Sequence, residues 1–158
     1  MAEHEFDIES LDLTEISPPD FARLIKDMPE RQLAAIGTGP SRERIVDEIL
    51  SRMATSFKPE VGGRLRAVIR WRILDTDQPE ITFEMDIADQ ACRLTKGVAE
   101  PEPRLVLTMS TADFARLASG NATGTALFMT GRLKAVGDLG LAAGLASYFD
   151  IPVASHAL

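Results

Sequence analysis

The sequence predicts an α+β fold: a mixed, mostly antiparallel sheet of about five strands with helices on one face. Three observations carry this. Two runs between Arg64 and Ile87 alternate apolar with polar residues across a turn. Helical periodicity flanks those runs on both sides. The strand charges all fall on one face, so only the other can take helices. With 158 residues the chain is long enough for one continuous core.

Ser17 caps the first helix, Pro18 fills its first position, and Phe21, Leu24, Ile25 and Met28 recur at i, i+3, i+4 and i+7. A second short helix is expected over Glu30 to Ile36. Gly37-Thr38-Gly39-Pro40 breaks the chain. Ser41 then starts a longer helix whose buried stripe is Val46, Ile49, Leu50, Met53 and Phe57.

From Arg64 to Leu74, Leu65, Ala67, Ile69, Trp71 and Ile73 share one face, while Arg64, Arg66, Arg70 and Arg72 share the other. Asp75 to Pro79 turns the chain, and Ile81, Phe83, Met85 and Ile87 then alternate with Thr82, Glu84 and Asp86. The product is an antiparallel hairpin with one wet face. An arginine row is one way to hold a phosphate or carboxylate. Here Glu80, Glu84 and Asp86 fall on the same face of the next strand, which favours cross-strand pairing. Asp89-Gln90 turns into a strand over Ala91 to Lys96, Gly97 to Pro103 is a loop, and Leu105, Leu107 and Met109 put one more strand on the core.

Ser110 or Thr111 caps a short helix with Phe114, Leu117 and Ala118 on one face and Gly120 past its end. Between Gly131 and Gly137 the period becomes two, with Leu133 and Ala135 opposite Arg132, Lys134 and Val136. After Asp138, a helix cap, Leu139 to Phe149 carries no charge on any side. Such a helix is buried on more than one side or faces something greasy. It is too short for a bilayer, which takes about 20 apolar residues. Its surface therefore meets the protein, a bound lipid or a partner.

This last third of the chain resembles the sterol carrier protein 2 family. The matching positions are Asp113, Phe114, Leu117, Gly120, Ala126, Phe128, Gly131, Leu133, Lys134, Gly137, Leu139, Gly140, Leu141, Ala142 and Leu145, in order and without gaps. Ala135 stands where relatives often carry a larger aliphatic residue, and Asp138 replaces an amide. With the strands upstream, the resemblance runs from about Ser41 to Pro152. It implies an apolar cavity between a mixed sheet and its helices that binds sterols, fatty acids or acyl-CoA, with no catalytic residues.

On that resemblance the cavity is expected to be lined by Ile69, Trp71, Phe83, Met85, Leu107, Met109, Phe128, Met129, Leu133, Leu141 and Leu145. The expected function is non-catalytic binding, and transfer, of a fatty acid, fatty acyl-CoA or sterol-like lipid, without a cofactor. Transient membrane contact fits this reading. The alternative is an interaction or accessory module of a lipid or quinone enzyme, acting as a homodimer or on an enzyme partner. The expected division is an acidic flexible tail over residues 1–16, a helical extension over 17–40, and the lipid-binding domain over 41–158. Leu139 to Phe149 is expected to be a movable cover, since only small residues oppose Leu141, Leu145 and Phe149.

Charge and composition narrow the classes further. Seven acids and no Lys or Arg occupy the first twenty residues, and beyond them 17 acids balance 17 bases within the net −7. A neutral domain with an acidic start lacks the basic face that a nucleic-acid binder needs. Cys92 is the single cysteine, so no internal disulfide forms, and a half-buried strand thiol is expected rather than a nucleophile. His4 and His156 lie near opposite ends, which leaves neither a metal cluster nor a base for a serine triad. The acidic start has no secretory signal pattern and the last three residues are no peroxisomal address, so a cytoplasmic location is expected.

Overall fold

Period-two patterning sets the sheet. In the computed structural model, which describes residues 12–151, the strands are β1 (Ala67–Ile73), β2 (Ile81–Ala88), β3 (Ala91–Lys96), β4 (Leu105–Met109) and β5 (Lys134–Gly137). Their order is β3-β2-β1-β4-β5, with β1 and β4 parallel and the other neighbours antiparallel. Every second residue of β1 is buried, from Ala67 to Ile73, and so are Leu105, Leu107 and Met109 of β4. The turn into β3 holds Asp89 and Gln90 at φ 53° and 65°, the paired left-handed conformation of a tight hairpin.

Helices cover the buried face. They are α1 (Pro18–Asp27), α2 (Glu30–Ile36), α3 (Arg42–Thr55), α4 (Pro59–Gly62), α5 (Thr111–Ala118), α6 (Gly124–Met129) and α7 (Leu139–Gly144). Trp71 of β1 packs on Phe114 of α5, with ring centroids 5.5 Å apart and tilted. Arg42 joins helices to sheet: its Nε donates to Asp75 at 2.8 Å, and its other nitrogens donate to the carbonyls of Ile73 and Pro79. Asp75 also accepts from the Thr111 N–H and hydroxyl, so one partly buried carboxylate ties the end of β1 to the starts of α3 and α5.

The other sheet face carries the expected charge pairs. Arg70 lies opposite Glu84 in register and bonds its carboxylate at 3.0 Å, Arg72 grips both oxygens of Glu80, and Arg66 reaches Asp89. Glu84 is buried, which by itself raises its pKa. The Glu100 N–H, Arg70 and the Ala99 N–H outweigh that burial and hold the carboxyl below its ordinary value.

Several boundaries differ from expectation. The expected acidic tail over 1–16 packs at its end: Leu13–Glu15 forms a 3-10 turn against α3 with Leu13 0% exposed, while residues 1–11 lie outside the described part. Arg64 and Leu65 precede β1, drawn into the turn after α4 by the Leu65 N–H bond to Gly62. Phe57 lies past the end of α3. Leu133 precedes β5, which occupies only Lys134–Gly137. The run from Leu139 to Phe149 is not one helix but α7 followed by a 3-10 turn over Leu145–Tyr148. The short α4 and α6 are additional to the expected elements.

Candidate functional site

At one end of the apolar face the chain places small residues where the core would need large ones. Gly120, Ala122 and Gly124 follow α5, while Ala142, Ala143 and Ala146 lie across from them on α7 and its 3-10 turn. What they leave unfilled is an inner cleft of about 410 Å³. Trp71 and Leu107 of the sheet wall it with Met53, Leu117, Leu133, Leu145 and Phe149. Lys58, Thr123, Thr125 and Ser147 supply its polar groups. An outer groove of about 440 Å³ adjoins it, walled by Phe128, Met129, Ala135 and Leu139. The two share Gly124, Thr125, Leu133, Ala142 and Ala143. Volumes of this size suit a small-molecule ligand.

The expected lining residues divide into three groups. Trp71, Leu107, Leu133 and Leu145 wall the inner cleft. Phe128 and Met129 do not face the interior: they are 49% and 79% exposed and border the outer groove. Only Leu127 of α6 is buried, so a six-residue helix has turned both large neighbours outward. Ile69, Phe83, Met85, Met109 and Leu141 are buried but wall neither cleft, because close packing fills the space around them.

The wall formed by α7 is tied down at its ends. Asp138 caps it through the Leu141 N–H at 2.9 Å and pairs with Arg104 at 2.9 Å. These two bonds, the cap first, hold the Asp138 carboxyl below its usual range. Beyond the 3-10 turn, Phe149 bridges Phe57 with ring centroids 5.8 Å apart, and the Lys58 N–H bonds the Tyr148 carbonyl at 2.8 Å. Between these anchors Leu141, Leu145 and Phe149 face inward, while Leu139, Ala143, Ala146 and Ser147 are exposed. The charge-free stretch is therefore covered on one side only. Gly137 at φ 116° enters this corner where a Cβ would lie 2.4 Å from the Arg104 carbonyl, so no other residue fits there.

Polar groups around the clefts are few. The indole N–H of Trp71, a residue walling the inner cleft, is buried without a hydrogen-bond partner among the described residues. Buried Asp113 is held by Arg116 and Arg132, and Arg116 also pairs with Glu30, so charge links α2, α5 and the loop before β5. Burial pushes the Cys92 thiol up to about 12, which makes it a poor nucleophile. Among the described residues no group of three or more His, Cys, Asp or Glu is placed to hold a metal ion, and no helix is long and apolar enough to cross a membrane.

Comparison with solved structures returns the same architecture. Sterol carrier protein 2 from Yarrowia lipolytica, in its apo form, superposes with a TM-score of 0.51 at 24% identity, over 73% of this chain and 83% of its own. Sterol carrier protein 2 like 2 from Aedes aegypti gives 0.54 at 21% identity, over 68% and 94%. The inverting sec-alkylsulfatase Pisa1 from Pseudomonas sp. gives 0.55 at 15% identity over 66% of this chain, which spans only 16% of that enzyme. No curated protein matches in a sequence comparison. The family model described as SCP-2 sterol transfer family matches residues 47–150, from the middle of α3 to the residue after Phe149. That span takes in every strand and both clefts' walls from Met53 to Phe149, and the chain belongs to the SCP-2 sterol transfer family.

Proposed function

We propose that this chain binds and transfers lipid without catalysis, taking a fatty acid, fatty acyl-CoA or sterol-like molecule into the inner cleft and outer groove. The observation that carries this reading is the pair of apolar clefts meeting across Gly124, Leu133 and Ala142, with Phe128 and Met129 exposed beside them. Membership of a sterol transfer family supports it. Burying a sixteen-carbon chain is worth roughly 12 kcal/mol gross at about 0.8 kcal/mol per methylene. Ordering and lost freedom remove about half, which leaves affinities around micromolar to high nanomolar.

Organic extraction of the purified protein with identification of the extracted lipid, together with displacement of a fluorescent fatty acid, tests the reading. Co-purified lipid and saturable displacement support it. An empty extract without displacement refutes it. The exposed apolar pair Phe128 and Met129 gives a second reading, an interaction surface for an enzyme or a second copy, which a lipid-free protein that associates through these residues would support.

A further inference from the structure

Among the described residues the inner cleft has one charged wall residue, Lys58, and no carboxylate. Lys58 follows α3 and is half-buried. Its ammonium makes no ion pair or hydrogen bond among the described residues; only its backbone is engaged, through the Tyr148 carbonyl and the N–H groups of Val61 and Gly62. Arg42 has Asp75, Arg70 has Glu84, Arg104 has Asp138, and Arg116 and Arg132 share Asp113, whereas the cations whose side chains make no ion pair or hydrogen bond among the described residues besides Lys58, namely Lys26, Arg31, Arg64, Arg93 and Lys134, are exposed. A half-buried lysine in the wall of an apolar cleft is favourable beside an anion. Thus, among the described residues, the cleft wall carries one cationic side chain and no carboxylate to oppose an anion.

We propose that the inner cleft selects an amphiphile with a single anionic head, a carboxylate or phosphate ester on an apolar chain, and that Lys58 is the residue that pairs with that head. The proposal rests on the lipid-binding reading and narrows it, since a neutral alcohol or sterol gains nothing from the charge.

Palmitate, hexadecyl phosphate and hexadecan-1-ol match in chain length and differ in the head. Their affinities, measured by displacement of a neutral fluorescent lipid, are compared for the wild type, Lys58→Met and Lys58→Arg. Lys58→Met keeps the stem and the backbone bonds, and circular dichroism verifies the fold. The expected wild type binds at least one anion about tenfold more tightly than the alcohol, the size of a charge-assisted bond in a partly buried site. The tighter anion then identifies the head as carboxylate or phosphate. Lys58→Met is expected to erase this preference by weakening the anion alone, and Lys58→Arg to keep it. Equal affinity of the wild type for all three probes, or an undiminished preference in folded Lys58→Met, overturns the proposal while lipid binding stands. Failure of every probe to bind overturns both.

Discussion

The segment before α1 sets a test of where the folded unit begins. Two truncated chains are compared, one starting at Asp12 and the other at Ser17, each after an initiator Met. The longer keeps Leu13, which is fully buried against α3, and keeps the Leu13 and Ile16 carbonyls that accept from Arg52. It also keeps the Leu13 N–H bond to Glu48 at 3.0 Å. Losing a fully buried leucine costs about 1.5 to 3 kcal/mol. The released Arg52 and Glu48 regain water, so their bonds add only about 1 kcal/mol together. The total is about 3 kcal/mol, and at roughly 2 to 4 °C per kcal/mol the shorter chain melts about 6 to 12 °C lower. Thermal unfolding followed by circular dichroism measures the difference, and Leu13→Ala in the full chain, expected to cost about 2 to 4 kcal/mol, assigns it to the side chain. A difference under 3 °C between the truncations refutes the packing argument.

Three further outcomes follow from other parts of the fold. Arg42→Ala leaves the Asp75 carboxylate, the buried Ile73 carbonyl and the Pro79 carbonyl without this partner, for a loss of about 3 to 5 kcal/mol in denaturant unfolding; adding Asp75→Asn should recover part of it, and an undiminished loss in the double variant would count against the charge explanation. Glu80 is held down to about 2 by Arg72 and then by the Thr82 hydroxyl, so its contribution is complete above the ordinary value of 4.5 and is lost as pH falls from there through 2. Because Arg72 and Glu80 are both a third or more exposed, screening limits this to about 1 kcal/mol or less; the melting-temperature gap between wild type and Arg72→Gln should be constant above pH 5 and close toward pH 2. An alanine at Gly144 meets open space, and the residue's φ of −98° admits any side chain, so Gly144→Ala should gain up to about 1 kcal/mol and slow hydrogen exchange of the α7 amides about fivefold. Equal exchange in both proteins would show that the alanine does not stabilise α7.

The parts of this fold legible in the sequence are those in which burial is one-sided and repeated. Ala67 to Ile73 and Ile81 to Ile87 alternate because a slip of one residue would put their apolar side chains in water, and α2 and β3 have the expected bounds. Helix α6 is hidden because only Leu127 of its six residues is buried, too few to show a period. The site was harder for a different reason. Large apolar residues mark where space is filled, and Phe83, Met85 and Met109 fill it, whereas a cleft is bounded by residues too small to close it, such as Gly120, Ala122, Ala142 and Ala146. In a sequence those small residues look like any packed helix. Lys58 likewise gives no local signal, since what distinguishes it is the absence of a carboxylate among the described residues of walls built far away in the chain.

The parallel seam, Ile69 against Leu105 through Ile73 against Met109, bears on how the molecule assembles. β1, β2 and β3 join by short turns and can pair as soon as they exist, but β1 waits for its second neighbour until everything up to Met109 has been made. During synthesis the indole of Trp71 leaves the ribosome well before Phe114, the ring that will cover it. For that interval the emerging hairpin shows water the same greasy surface that the finished protein hides, and α3, already made, is the segment at hand to shield it.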